Sequence, residues 1–154
     1  MDTTPQAATE RLAPEECWAL LGQAVVGRLA VLVNGNPDIF PVNYVLEGDS
    51  IVFRTSAGTK YWSALTAPSA LEIDGYSADT AKAWSVVVKG RAAVILEQNE
   101  LAKVAGLGLD PWQPGSKNHY VRITPESVTG RRFTTTRPDI WDAPLNDARR
   151  ESFR

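Results

Sequence analysis

Short apolar runs separated by tight turns dominate the pattern of the chain. Gly27 to Val33 is apolar except for Arg28, and Asn34-Gly35-Asn36-Pro37 follows it. An Asn-Gly pair between two apolar runs predicts a hairpin with a type I′ turn. Asp38 to Glu47 is then the return strand, and Gly48-Asp49 turns the chain into Ser50-Ile51-Val52-Phe53, a short buried strand closed by Arg54 and Thr55. Further strands are expected at Ser69 to Ile73, ended by Asp74-Gly75, and at Ala83 to Glu97, the longest run, with Gly90 marking a bulge or bend. His119 to Thr124 and Ser127 to Thr135 complete the set, with Pro125-Glu126 turning between them. Tyr76 to Lys82 reads as a loop. Helical spacing appears in three places. Trp18, Leu21 and Val25 recur at helical spacing, and Pro14, Glu15 and Glu16 make a typical first turn, which places a helix over 14–23. A second helix is expected over 59–66, and a third over 98–106 with Leu101 and Val104. Short strands joined by tight turns, with a few flanking helices, predict a mainly β fold, a small antiparallel barrel.

Composition narrows the picture. A chain of 154 residues with 44% apolar residues is the size of one domain with a proper core. Residues 1–12 are polar and expected to fray, 13–135 form the domain, and 136–154 read as a tail. The net charge of −2 argues against a general nucleic-acid binder. No apolar run is long enough for a membrane helix, and the first residues lack the pattern of a signal peptide. With one cysteine, Cys17, an intrachain disulfide is excluded, and a cytoplasmic location is expected. One cysteine and one histidine, His119, do not make a Cys/His zinc site.

Candidate chemistry concentrates in Ser50 to Leu65. A strand ending in Arg54-Thr55, a turn at Ser56-Ala57-Gly58, and Thr59-Lys60 opening a helix together describe an anion cradle. The helix start offers N–H groups and partial positive charge, Arg54 can bind phosphate bidentately, and Lys60 adds a point charge. The same cations would also suit an ordinary surface turn. Pro41 inside an apolar strand removes a ladder donor, which marks an edge, a bulge or a place where a ligand replaces the neighbouring strand. Asn43 is the polar residue beside it. Trp84 and Ser85 stand at the entrance of the longest strand, where the indole is either a lid over a planar ligand or a core plug.

These segments resemble the flavin-binding split β-barrel proteins related to pyridoxamine 5'-phosphate oxidase, and most closely their small actinobacterial-type branch. The resemblance rests on Val26-Gly27-Arg28-Leu29-Ala30, Asp38 to Tyr44, Phe53-Arg54-Thr55 with Gly58-Thr59-Lys60, Trp84 to Gly90, and Arg122-Ile123-Thr124-Pro125 through Gly130-Arg131-Arg132-Phe133. It implies a six-stranded antiparallel split barrel that pairs as a homodimer, with two flavin mononucleotides (FMN) in clefts between the subunits. By position it implies that Arg54, Thr55, Thr59 and Lys60 hold the phosphate and that Pro41, Val42, Asn43 and Tyr44 run along the isoalloxazine ring, mostly through backbone groups. Trp84 and Ser85 would come from the partner subunit.

The resemblance has departures. The oxidase itself carries an Arg-x-His type motif near its end. Here the tail after Phe133 has no histidine, which points away from pyridoxamine phosphate oxidation. Arg131 and Arg132 are either strand-end surface charges or a site for an anionic substrate, and His119 reads as a structural strand residue. No Ser/His/Asp order and no paired carboxylates stand out, as expected where a flavin carries the redox chemistry. Three readings follow. The first is a flavin-dependent oxidoreductase that transfers hydride to or from a small or planar substrate. The second is a deazaflavin-dependent reductase, with Lys82, Lys89 and Arg91 supplying a basic groove for a longer phosphate-bearing tail. The third is a flavin-binding or flavin-carrying protein without turnover.

Overall fold

The computed structural model describes residues 9–55, 67–109 and 119–135. The chain runs β1 (Thr9–Arg11), α1 (Pro14–Gln23), β2 (Val26–Val33), β3 (Asn36–Glu47), β4 (Ser50–Thr55), β5 (Pro68–Ser77), β6 (Lys82–Val94), α2 (Gln98–Ala105) and β7 (His119–Thr134). The sheet order is β1-β7-β4-β3-β2-β5-β6, and β6 also pairs with β7. That last ladder closes six strands, β2 to β7, into an antiparallel ring, with β1 added on the open side of β7. The fold is the expected mainly β split barrel with short helices.

Local chemistry explains the elements. Pro14 sits in the first turn of α1 with Glu15 and Glu16 beside it, where a missing N–H costs nothing and acidic groups face the positive end of the helix. Asn34 and Gly35 both take positive φ, 51° and 77°, as a type I′ turn requires. Alternation along the strands sends Leu29, Val31, Val42, Tyr44, Phe53, Leu71, Ile73, Val86, Val88, Val121 and Ile123 into the barrel, where Cys17 and Leu21 of α1 cap them. A smaller cluster, Val52, Ile95, Val104 and Leu109, seats α2 on the outside of β4. The α1 helix approaches β7 so closely that a Cβ on Gly130 would meet Cys17 Sγ at 2.7 Å.

Several sequence expectations are corrected. Asp74-Gly75 does not end a strand, since β5 runs through it to Ser77. Gly75 lies directly opposite Trp84, and its missing side chain makes room for the indole, whose ring atoms would come within 2.4 Å of a Cβ. The connection after it shrinks to residues 78–81. Pro125-Glu126 likewise makes no turn: β7 is one strand of sixteen residues. Pro125 is tolerated because the β6–β7 register shifts between Lys89 and Gly90, so that Gly90 faces Pro125 and Glu126 is the extra residue. The bulge expected at Gly90 is therefore present. Thr9–Arg11, counted with the fraying end, pairs with Phe133, Arg132 and Arg131, and Leu12 behind it is buried. The helix expected over 59–66 and the tail from 136 lie outside the described residues, as do residues 110–118.

Candidate functional site

The β3–β4 ladder is short. It pairs Glu47 with Ser50 and ends at Tyr44 and Phe53. Beyond that point β3 continues for eight residues, Asn36 to Asn43, paired with β2 alone among the described strands, while β4 runs on to Arg54 and Thr55 along β7. The sheet is thus split, with Pro41–Asn43 on one lip and Arg54–Thr55 on the other. The Tyr44 N–H donates to Val25 O at 3.2 Å, on the β2 side. Backbone groups alternate along a strand, so those of Pro41 and Asn43 point away from β2, into the split. A proline fits there because the ladder with β2 asks nothing of its nitrogen.

The same alternation sorts the side chains expected along a ring. Val42 and Tyr44 are buried in the core, whereas Pro41 is exposed and Asn43 half-buried on the outer face. Only the backbone and the Pro41 and Asn43 side chains can meet a ligand in the split. Tyr44 has another task. Its hydroxyl donates to Leu21 O at 2.6 Å, tying the end of α1 to β3, and burial pushes its pKa up to about 12. Beside it, a cavity of about 350 Å³ opens between the end of α1 and Val45–Leu46.

Arg54 lies on the outer face of β4, the face that also carries Asn43. Its guanidinium carbon stands 5.0 Å from the centre of the Tyr120 ring, directly across on β7, and its Nη1 donates to Leu109 O at 3.5 Å. A cation stacked on an aromatic face and held at one nitrogen keeps a preferred direction. Neither Tyr120 nor the Leu109 carbonyl is legible in the sequence as a partner of Arg54, because the β4–β7 pairing brings the one and the packing of Leu109 with Val52 and Val104 brings the other. Thr55, next in the strand, points to the opposite face and pairs with His119. Thr59 and Lys60 lie outside the described residues.

Trp84 and Ser85 are far from this lip within one chain. They sit near the other end of β7, opposite Arg132 and Arg131, whereas Arg54 sits opposite Tyr120. The Trp84 indole lies on Gly75 and packs against the core cluster, so in the single chain it acts as the plug. Ser85 faces outward. The two candidate arginines also differ. Arg132 is drawn into structure, donating to Glu16 of α1 at 3.1 Å, while Arg131 is exposed on the outer face. Lys82, Lys89 and Arg91 do not gather into a groove: Lys82 and Lys89 are an odd number of residues apart on one strand and face opposite sides, and Arg91 pairs with Glu126 at 3.4 Å. Among the described residues no group of His, Cys, Asp or Glu is placed to hold a metal ion, and no helix is long and apolar enough to cross a membrane.

This architecture is that of a flavin-type split-barrel family, and the sequence agrees. The pattern of the family described as Pyridoxamine 5'-phosphate oxidase matches residues 13–132, and the chain belongs to that family. A protein of Corynebacterium glutamicum named for the same oxidase is 35% identical, with a TM-score of 0.76 over 84% of this chain and 96% of the other. The FAD binding protein from Mycobacterium smegmatis is also 35% identical, with a TM-score of 0.70 over 84% of this chain and all (100%) of that one. An uncharacterised protein of Mycobacterium tuberculosis is 31% identical in an alignment of 138 positions that covers 84% of this chain and 90% of its own length.

Proposed function

We propose that this chain is a flavin-binding oxidoreductase that works as a homodimer, with FMN as the cofactor and a small or planar molecule as substrate. The observation that carries the reading is the split between Pro41–Asn43 and Arg54–Thr55. It offers a flat ring the outward backbone groups of one strand and offers a phosphate an arginine already oriented by Tyr120 and Leu109 O. The donor set suits the group: backbone polar groups for the edge of the ring, and a fork of guanidinium N–H groups for phosphate. The FAD of the M. smegmatis relative supports the flavin class.

When bound, a flavin supplies the redox chemistry, including hydride transfer. The protein's part is to orient it and keep water out. Pro41 and Asn43 present their backbone to the ring edge, Asn43 adds a side-chain amide, and Arg54, with Thr59 and Lys60, anchors the phosphate, Thr55 being left to its backbone because its side chain faces the other way. Trp84 and Ser85 are too far from Arg54 to serve the same split, so under this reading they complete the split of a second copy. An apolar row supports such pairing: Ile39, Ala30 and Ala70 lie side by side across β3, β2 and β5 on the outer face, with Leu32 two residues further along β2. Ile39 is 65% exposed and Leu32 48%.

The test is the visible spectrum of the purified protein, alone and after addition of FMN. Bands near ~450 nm that bleach under NADH or NADPH and return with an acceptor are expected of a flavoenzyme. An Arg54→Ala variant that stays folded and loses most of its bound FMN supports the cradle; full occupancy in that variant sinks it. A protein that takes up no flavin overturns the whole reading, and a flavin that no donor reduces removes the oxidoreductase part.

A further inference from the structure

The edge of β3 turned away from the split carries a second feature. Even-numbered residues of β3 bond toward β2, as the Tyr44 N–H does with Val25 O. The N–H and C=O of Leu46 therefore point the same way, away from β4. By register their partner would be Gln23, but the chain there is still the last turn of α1. The two elements part instead, and the cavity of about 350 Å³ lies between them, lined by residues 21–25 and 44–46, none of them charged.

The end of α1 leaves acceptors open. Helix carbonyls point along the axis toward the C-terminal end, and the last four have no partner within the helix. The Ala24 N–H returns to Leu20 O at 3.2 Å, and the Tyr44 hydroxyl donates to Leu21 O at 2.6 Å. Among the described residues nothing donates to Gly22 O or Gln23 O. Ala24 is extended (φ −78°, ψ 152°) rather than left-handed, so the chain does not fold back onto these oxygens, and the last turn holds no basic residue. The partial negative charge of the helix end is left uncompensated.

The lining selects a ligand. Gly22 O, Gln23 O, Leu46 O and the Tyr44 oxygen are acceptors, against the single backbone donor of Leu46 and an amide on Gln23 that can serve either way. Burial pushes the Tyr44 pKa up to about 12, so its hydroxyl keeps the proton for Leu21 O. The rest of the lining is aliphatic. We propose that the cavity between α1 and β3 binds a small primary amine in its ammonium form, the charge on Gly22 O and Gln23 O and the apolar body against Val25, Val45 and Leu46. An ammonium has three donors and no acceptor, and it meets the helix end as a C-terminal lysine would. The volume lies within the range of small-molecule sites, about 300–1,000 Å³. The site is separate from the split: Pro41 and Asn43 turn their backbone to one edge of β3, Leu46 to the other. It needs neither a flavin nor a second copy.

The test is calorimetric titration of the full chain with phenethylamine, 2-phenylethanol and phenylacetate, which share one body and differ in charge. The amine is expected to bind about tenfold more tightly than the alcohol, and phenylacetate to show no binding. Gln23→Lys, at an exposed position, supplies the cation from the chain itself, so it should abolish amine binding and melt above the wild type. Val25→Asp, at a residue 54% exposed on the rim, should tighten the amine by roughly two- to fivefold. Asn34→Asp adds the same charge in the turn after β2, on the order of 30 Å away, and should change nothing. No binding of the amine, equal binding of the alcohol, unchanged affinity in Gln23→Lys, or a Val25→Asp affinity no tighter than that of Asn34→Asp each overturns the site. Saturating FMN should leave the amine affinity unchanged; an amine that FMN displaces lies in the split, which also overturns it. Flavin uptake is read from the visible spectrum of the same samples, so this site and the flavin reading can fail separately.

Discussion

At the scale of single residues, Tyr44 makes a measurable claim. Its hydroxyl is buried against Leu21 O, and its pKa is raised from 10 to about 12. An unfolded tyrosine ionises near 10, so between about 10 and 12 the unfolded state sheds the proton first and stability falls as pH rises. The loss amounts to roughly 2–3 kcal/mol across that window. Tyr44→Phe removes this limb and costs about 1 kcal/mol at neutral pH for the lost hydrogen bond. Urea unfolding at pH 8 and pH 11 checks it: equal losses in both proteins would show that Tyr44 does not carry the effect. Gly22 makes the opposite kind of claim. It lies in α1 with no positive φ, and a Cβ there would meet only Leu46 Cδ1, at 3.6 Å. Gly22→Ala is expected to stabilise by about 0.5–1 kcal/mol through helix propensity, read as a rise in melting temperature.

At the scale of elements, the bulge at Gly90 decides whether β7 is one strand or two. A Cβ on Gly90 would come within 2.2 Å of Thr124 O, a backbone atom that cannot swing aside. Gly90→Ala should therefore cost about 1–3 kcal/mol or more, while Ala92→Gly, two residues on, should cost less than that clash. A lower urea midpoint for Ala92→Gly than for Gly90→Ala would contradict this account of the bulge. The same bulge shows what the sequence could and could not tell. Gly90 was legible as a bulge because a lone glycine in a long apolar run has few other reasons. Pro125 misled, because a proline followed by a charged residue reads as a turn unless one knows that Gly90 faces it. Asp74-Gly75 misled in the same way: Gly75 serves the Trp84 ring rather than a turn, a cross-strand reason invisible along the chain. The α1 helix and the Asn34-Gly35 turn were legible to within a residue, since their signals are local. In the candidate site, Pro41 and Arg54 were legible as chemistry, but the partners that orient Arg54 come from β7 and from Leu109, beyond the end of α2.

At the scale of the whole molecule, the proposed shared cleft requires two copies. Light scattering should give about twice the chain mass of 16.8 kDa. A mass of one chain would remove the role given to Trp84 and Ser85 in a partner's split, though Arg54 and the Pro41–Asn43 lip would stand. Replacing Ile39, the most exposed member of the apolar row on β3, β2 and β5, by Lys should shift the dimer toward single chains without unfolding the barrel. An unchanged mass would place the contact elsewhere.

The closing ladder has a consequence in time. β7 pairs with β1, β4 and β6, and is the last strand of the ring in chain order. As the chain emerges from the ribosome, β4 and β6 each present an unpaired edge until residues 119–134 arrive to cover both. Such edges recruit other strands. Docking β7 also joins segments far apart in sequence, Thr9 with Phe133 being the extreme, so its entropy cost falls before the contacts repay it. The barrel is thus expected to fold on the slow side of its size class, in milliseconds to seconds, and a chain stopped short of β7 is expected to aggregate rather than wait.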